Sequence, residues 1–245
     1  MKRVRIIVAY DGTNYCGWQM QINGITVEEV LNRTLSELLG EKIAVIGASR
    51  TDSGVHSLGN VAVFDTETKI PAEKISFALN QRLPNDIRIQ KSDEVSCDWH
   101  PRYCDSTKTY EYKILNRKFP NPLQRFYTHF VYMPLDSEKM KKAAEYIVGK
   151  HDFASFCSSG SQVESTVREV YSLDVTKVDD IISIKISGNG FLYNMVRIIV
   201  GTLMKVGLGV YPPEHVKEII ESKDRYQAGP KAPACGLMLV GIEYK

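Results

Sequence analysis

The chain has 245 residues, 43% hydrophobic and 24% charged, which is enough to bury a real core in one large domain or two small ones. Its formal net charge is only +2, so the average composition does not make it a polyanion binder, and such a site would have to come from local clustering of Lys and Arg. Cys16, Cys97, Cys104, Cys157 and Cys235 are odd in number, contain no Cys-x-x-Cys and are not interleaved with His at zinc-finger spacing. No run of eighteen apolar residues occurs, and the apolar stretch after Met1 is too short for a signal peptide. A reduced, soluble, cytoplasmic protein with no structural metal and no membrane segment is expected.

In chain order, 4–10 is rich in β-branched residues and ends at the turn signal Asp11-Gly12, which predicts a first strand. Thr26 followed by Glu29 is a capping box. Val27, Val30, Leu31, Leu35, Leu38 and Leu39 then recur at helical spacing up to Gly40, so an amphipathic helix is expected between Thr26 and Gly40. Strands are expected at 43–46 and 60–66. The thirteen residues between them, 47–59, are polar, carry glycine and lack an apolar period, and a loop of that length in a compact unit tends to be functional.

Pro71 sits where a first-turn proline belongs, Ile75, Ala78 and Leu79 continue a helix, and 87–89 opens another strand. Alternation over 107–116 puts Tyr110, Tyr112 and Ile114 on one face of a strand. A helix is expected over 135–148, capped by Asp136 and closed by Gly149. The segments 167–175 and 181–187 read as an antiparallel pair around Asp179-Asp180. Leu192, Met195, Val196, Ile199, Leu203 and Val206 mark a strongly apolar helix, Pro213 starts a shorter one, and 237–244 supplies a last strand.

These elements imply an α+β fold of two similar modules, 1–105 and 106–245. Each would be a mainly antiparallel sheet with helices on one face, and the two would meet at a central cleft.

The segment richest in chemistry is Gly47-Ala48-Ser49-Arg50-Thr51-Asp52-Ser53-Gly54-Val55-His56. A carboxylate flanked by small residues can be reached by a ligand, and an arginine two positions earlier can fix its charge and geometry. Taken alone, Asp52-Ser53-Gly54 reads as an ordinary turn. The whole segment reads differently. Arg50 to His56 resembles the Arg-Thr-Asp-x-Gly-Val-His signature of TruA-type tRNA pseudouridine synthases. Four further blocks match that family in the same order: Tyr10 to Gln19, Lys108 to Tyr112, Gly190 to Arg197, and Ala232 to Leu237. Two departures are visible: Met20 stands where relatives often carry a basic residue, and Ser53 replaces a commoner alanine.

The resemblance implies isomerisation of uridine at positions 38, 39 and 40 of the tRNA anticodon stem-loop, on a flipped-out base, with no cofactor and no metal, by a homodimer. It makes Asp52 the catalytic carboxylate. An ordinary aspartate is ionised at neutral pH, and three roles are open to it: attack on C1′, addition to C6, or removal of the C2′ proton. Tyr110 would stack on the target uracil near the proton leaving C5. Arg197, set among apolar neighbours, is costly to bury alone and is expected to pair with a carboxylate, in this family the catalytic one; a snorkelling surface arginine is the alternative. Arg50 is the candidate for filling the space vacated by the extruded base, against a plain surface ion pair. Asp11, Gly17, Trp18 and Gln19 are assigned to shaping the cleft. The five histidines have no shared spacing and read as structural or surface residues, and Lys139, Lys141 and Lys142 as a solvated helix face. The main rival reading is a non-catalytic RNA-binding module on the same fold. A carboxylate hydrolase would want a second acidic partner that these blocks do not offer beyond Asp11.

Overall fold

The structure is a computed structural model that describes residues 1–160 and 163–245. Among them the elements run β1 (Lys2–Tyr10), α1 (Val27–Leu39), β2 (Ile46–Gly47), β3 (His56–Thr66), α2 (Ala72–Asn80) and β4 (Ile87–Val95). There follow β5 (Ser106–Asn116), β6 (His129–Val131), α3 (Ser137–Glu145), β7 (Gly149–Asp152), β8 (Val167–Val178), β9 (Ile181–Gly188), α4 (Met195–Gly207), α5 (His215–Ser222) and β10 (Leu237–Tyr244). They form two units, Met1–Ser106 with Met238–Lys245, and Thr107–Leu237. The mixture is the α+β class expected from the sequence, and no helix among the described residues is long and apolar enough to cross a membrane.

In the first unit β1 lies between β3 and β4, antiparallel to both. Alternation buries Val4, Ile6, Val8 and Tyr10 on one face of β1, and both α1 and α2 pack into the same core. The capping box works as read: the Thr26 side chain accepts the Glu29 N–H, and Gly40 closes α1 in the left-handed region at φ 68°. Val27, Val30, Leu31 and Leu35 form the buried stripe of α1, each worth about 1.5–3 kcal/mol of transfer free energy. Pro71 stands one position earlier than expected, at the N-cap of α2.

In the second unit β5, β9, β8 and β7 form an antiparallel run, with the short β6 parallel to the end of β5. Tyr110, Tyr112 and Ile114 share a buried face of β5, as their alternation predicts. α3 packs against α4 and β8.

Three local expectations are corrected. The loop read as 47–59 ends early, because β3 starts at His56; its first residues are polar yet buried, so they carry no apolar alternation to announce a strand. The strand expected at 43–46 is reduced to the two residues of β2. The helix expected over 135–148 stops at Glu145, and Gly149, at φ 116°, opens β7 instead of closing the helix. β7 has the sequence Gly-Lys-His-Asp, with no β-branched residue, and is strand only because Gly149 to Asp152 pair with Val170 to Val167 of β8. The last strand, placed with the second module by element order, runs parallel to the start of β3 through Met238 opposite His56 and Leu239 opposite Ser57.

Candidate active site

Between β2 and β3 the chain makes the loop 48–55, and the segment 11–19 that leaves β1 lies against it. The loop is held at almost every residue. The Ala48 N–H donates to the Val61 carbonyl (2.7 Å), and Asn60 clamps Ser49 from both sides, its Oδ1 accepting the Ser49 N–H (3.2 Å) and its Nδ2 donating to the Ser49 carbonyl (3.0 Å). The Thr51 carbonyl accepts the Trp18 N–H at 3.0 Å, and the Thr51 and Tyr10 hydroxyls lie 2.7 Å apart. The Tyr15 carbonyl accepts both the Gly54 N–H and the Ser53 hydroxyl, each at 3.2 Å. Past the loop, buried His56 accepts the Gly12 N–H on Nδ1 at 3.0 Å, with Asp11 Oδ1 3.1 Å from the same nitrogen.

Two glycines permit this contact. A Cβ on Gly12 would sit 2.0 Å from the Val55 carbonyl oxygen, and one on Gly17 would sit 2.5 Å from that of Thr51, with Gly17 also left-handed at φ 84°. Trp18 is buried and tilted against Tyr10, and a Cβ on Gly47 would strike its indole, so Trp18 is core rather than ligand contact.

Asp52 thus occupies a partly buried position on a loop fixed through its backbone on either side, with its own carbonyl accepting the Val55 N–H at 3.1 Å in a turn completed by Gly54 at φ 77°. A group placed this way keeps its geometry without reorganising, which is what a reacting carboxylate needs. Arg50, on the same loop, is exposed.

In the second unit, Tyr110 of β5 is buried, its ring edge-on to Phe191 at 5.3 Å and 86°. Neighbouring Tyr112 is fully enclosed; its hydroxyl donates to the Pro233 carbonyl at 2.9 Å, and burial raises its phenol above the ordinary range. Arg197, in the first turn of α4, is 8% exposed, which removes the snorkelling alternative. Its Nε donates to the Ala232 carbonyl (2.7 Å) and its Nη1 to Asn194 Oδ1 (3.1 Å), while the Ala232 N–H returns a bond to the Arg197 carbonyl (3.0 Å). Asn194 is left-handed at φ 60°, a conformation asparagine tolerates better than most residues, and this turns its amide toward the guanidinium. The 228–233 segment can approach α4 because Gly201 has no side chain: a Cβ there would lie 1.7 Å from the Pro230 carbonyl oxygen.

Of the four residues singled out from sequence, Asp52 and Arg50 share one loop of the first unit, and Tyr110 and Arg197 sit on β5 and α4 of the second. His56 is structural, one of the two roles expected for it, whereas Tyr10, Tyr15, Phe191 and Asn194, quoted within the matching blocks, were given no positioning role of their own. The signal was present in the density of Gly, Tyr and Trp over 10–18, a stretch from which only Asp11, Gly17, Trp18 and Gln19 were assigned to shaping the cleft.

A profile of the tRNA pseudouridine synthase family matches residues 6–104 and 143–245. Over all 244 aligned residues the chain is 53% identical to the protein named tRNA pseudouridine synthase A of Thermoanaerobacter sp. (strain X514), with 100% of both chains covered. The proteins of the same name from Acetivibrio thermocellus and Ruminiclostridium cellulolyticum are each 50% identical, again with 100% of both chains covered.

Proposed function

The chain belongs to the tRNA pseudouridine synthase family, and from that premise we propose that it isomerises uridine to pseudouridine in tRNA, with Asp52 as the catalytic carboxylate. The observation that carries this reading is the fixed loop 48–55, which presents one partly buried carboxylate with an arginine two residues away. The reaction breaks the N1–C1′ bond of the uridine, turns the detached uracil and joins C5 to C1′; the proton leaves C5, N1 gains one, and nothing is oxidised or reduced. An anionic oxygen at the ribose or the base is the one reactive group this demands, and a preorganised site keeps it effective.

In the same reading Tyr110 stacks on the target uracil, Arg197 pairs with the Asp52 carboxylate, and Arg50 occupies the space left by the extruded base. The family resemblance supports these roles, and on the same resemblance we read the target as positions 38, 39 and 40 of the anticodon arm, bound by a homodimer in the cytoplasm. The buried, hydrogen-bonded Arg197 supports its share, since a guanidinium is not held in an apolar helix without a partner network.

The test is to incubate the protein with unmodified tRNA transcripts and map pseudouridine at each position. Product at 38–40 is expected. Tight tRNA binding without product would instead support the non-catalytic RNA-binding module.

A further inference from the structure

Beside the Asp52 loop the first unit carries a second cluster, around His100, Arg102 and Tyr103, that the reaction as described does not use. The segment 99–104 makes a tight turn in which the Tyr103 and Cys104 N–H groups donate to the His100 carbonyl (3.2 and 3.3 Å) and the Arg102 N–H donates to His100 Nδ1 (3.2 Å). The turn stacks the His100 and Tyr103 rings face to face, 4.2 Å between centroids and 20° between planes, and leaves Tyr103 85% exposed. Arg102 reaches the other way: its Nε donates to the Gly47 carbonyl at 2.8 Å, where the Asp52 loop begins.

Arg102 and Arg50 lie within each other's field. The Arg102 guanidinium is held below its ordinary range, chiefly by desolvation and then by the Arg50 charge, with Glu28 only partly offsetting. Among the described residues neither arginine forms an ion pair with a carboxylate. A cation only partly offset by Glu28, next to a stacked ring pair whose Tyr103 is exposed, combines the two elements of single-strand recognition, a backbone contact and a base platform.

We infer that Arg102, beside Arg50 with its role in the vacated base space, holds a phosphate flanking the target uridine, and that Tyr103, backed by His100, stacks on the base of a neighbouring nucleotide. This rests on Asp52 being the reacting carboxylate and adds a nucleotide-binding subsite next to it. The subsite contributes to binding and register, since stacking on a flat ring is available to every base and carries little sequence information. It explains how a chain of net charge +2 concentrates affinity for a polyanion where the chemistry occurs.

The experiment measures the dissociation constant and KM for an unmodified tRNA transcript, with single-turnover product formation in parallel. Tyr103→Ala should raise both constants about tenfold, whereas Tyr103→Phe, which keeps the ring, should bind like wild type. Arg102→Gln should reduce the slope of log affinity against log salt by about one, and Arg102→Lys should restore it. The subsite is overturned if Tyr103→Ala binds the transcript like wild type, or if Arg102→Gln leaves the salt slope untouched. Absence of product from the wild-type protein would sink the functional reading instead, so the two failures are told apart.

Discussion

Three glycines separate the contributions of backbone strain and close packing to the Asp52 loop. Gly40 is left-handed at φ 68° with nothing within 4 Å of a would-be Cβ, Gly12 has no positive φ but would place its Cβ 2.0 Å from the Val55 carbonyl oxygen, and Gly17 combines φ 84° with 2.5 Å to that of Thr51. Gly40→Ala should therefore lose only the left-handed penalty of about 1–2 kcal/mol, lowering the melting temperature by roughly 2–4 °C per kcal/mol. Gly12→Ala must widen that 2.0 Å approach to about 3.5 Å, moving the loop by roughly 1.5 Å and losing about 1–3 kcal/mol of stability. A displacement of that size next to a reacting carboxylate lowers kcat/KM by about a hundredfold. Gly17→Ala should show both effects together. The assay is pseudouridine formation on a tRNA transcript, well below each variant's melting temperature, beside a thermal melt. Full turnover by Gly12→Ala, or a loss of activity in Gly40→Ala as deep as in Gly12→Ala, would refute the claim that the 11–19 segment sets the position of Asp52.

The other expectations are more local. Arg197→Met leaves the Ala232 carbonyl and Asn194 Oδ1 without their donor, at about 1–3 kcal/mol by urea unfolding, and should reduce product formation by about a hundredfold or more; turnover that tracks stability alone would deny Arg197 a role in the reaction. Gly201→Ala, on an exposed helix a gain of up to about 1 kcal/mol, should here lose about 3 kcal/mol or more, since its Cβ would meet the Pro230 carbonyl oxygen at 1.7 Å; a gain in urea unfolding would contradict that approach. On β1, hydrogen bonds from Arg5 hold the Asp93 carboxyl below the ordinary carboxylate range, and the Arg5 charge adds to this. A depressed folded value gives stability that is present above the unfolded value of about 3.9 and lost as pH falls through the folded one. The stability gap between wild type and Asp93→Asn should accordingly be flat from about pH 7 to pH 5 and close below about pH 4; a gap that persists in acid would be contrary to the assignment.

Where periodicity and caps agree, as at Thr26 to Gly40, the sequence places an element to the residue, because the apolar stripe and the αL glycine are both local signals. The start of β3 was hidden because His56, Ser57 and Asn60 are buried through hydrogen bonds rather than apolar contact, and β7 because its pairing comes from β8 alone. The Asp52 loop was legible through its resemblance to the family signature, since Asp52-Ser53-Gly54 alone reads as an ordinary turn. Its support was legible only as a general cleft-shaping role for Asp11, Gly17, Trp18 and Gln19, since Gly12 and Gly17 are recognisable as contacts only once the strands bring 11–19 and 48–55 together. Arg102 and Tyr103 were overlooked for the same reason: nothing local ties 99–104 to Gly47, 55 positions away, until Arg102 donates to its carbonyl.

The claim on which the account depends is that the Asp52 carboxylate performs the isomerisation. It is tested most directly by release of tritium from tRNA labelled at uridine C5, since the label must leave when C5 joins C1′. Wild-type protein should release it and Asp52→Asn should release none above background while binding the same tRNA as wild type does. Release by Asp52→Asn at the wild-type rate would contradict the account.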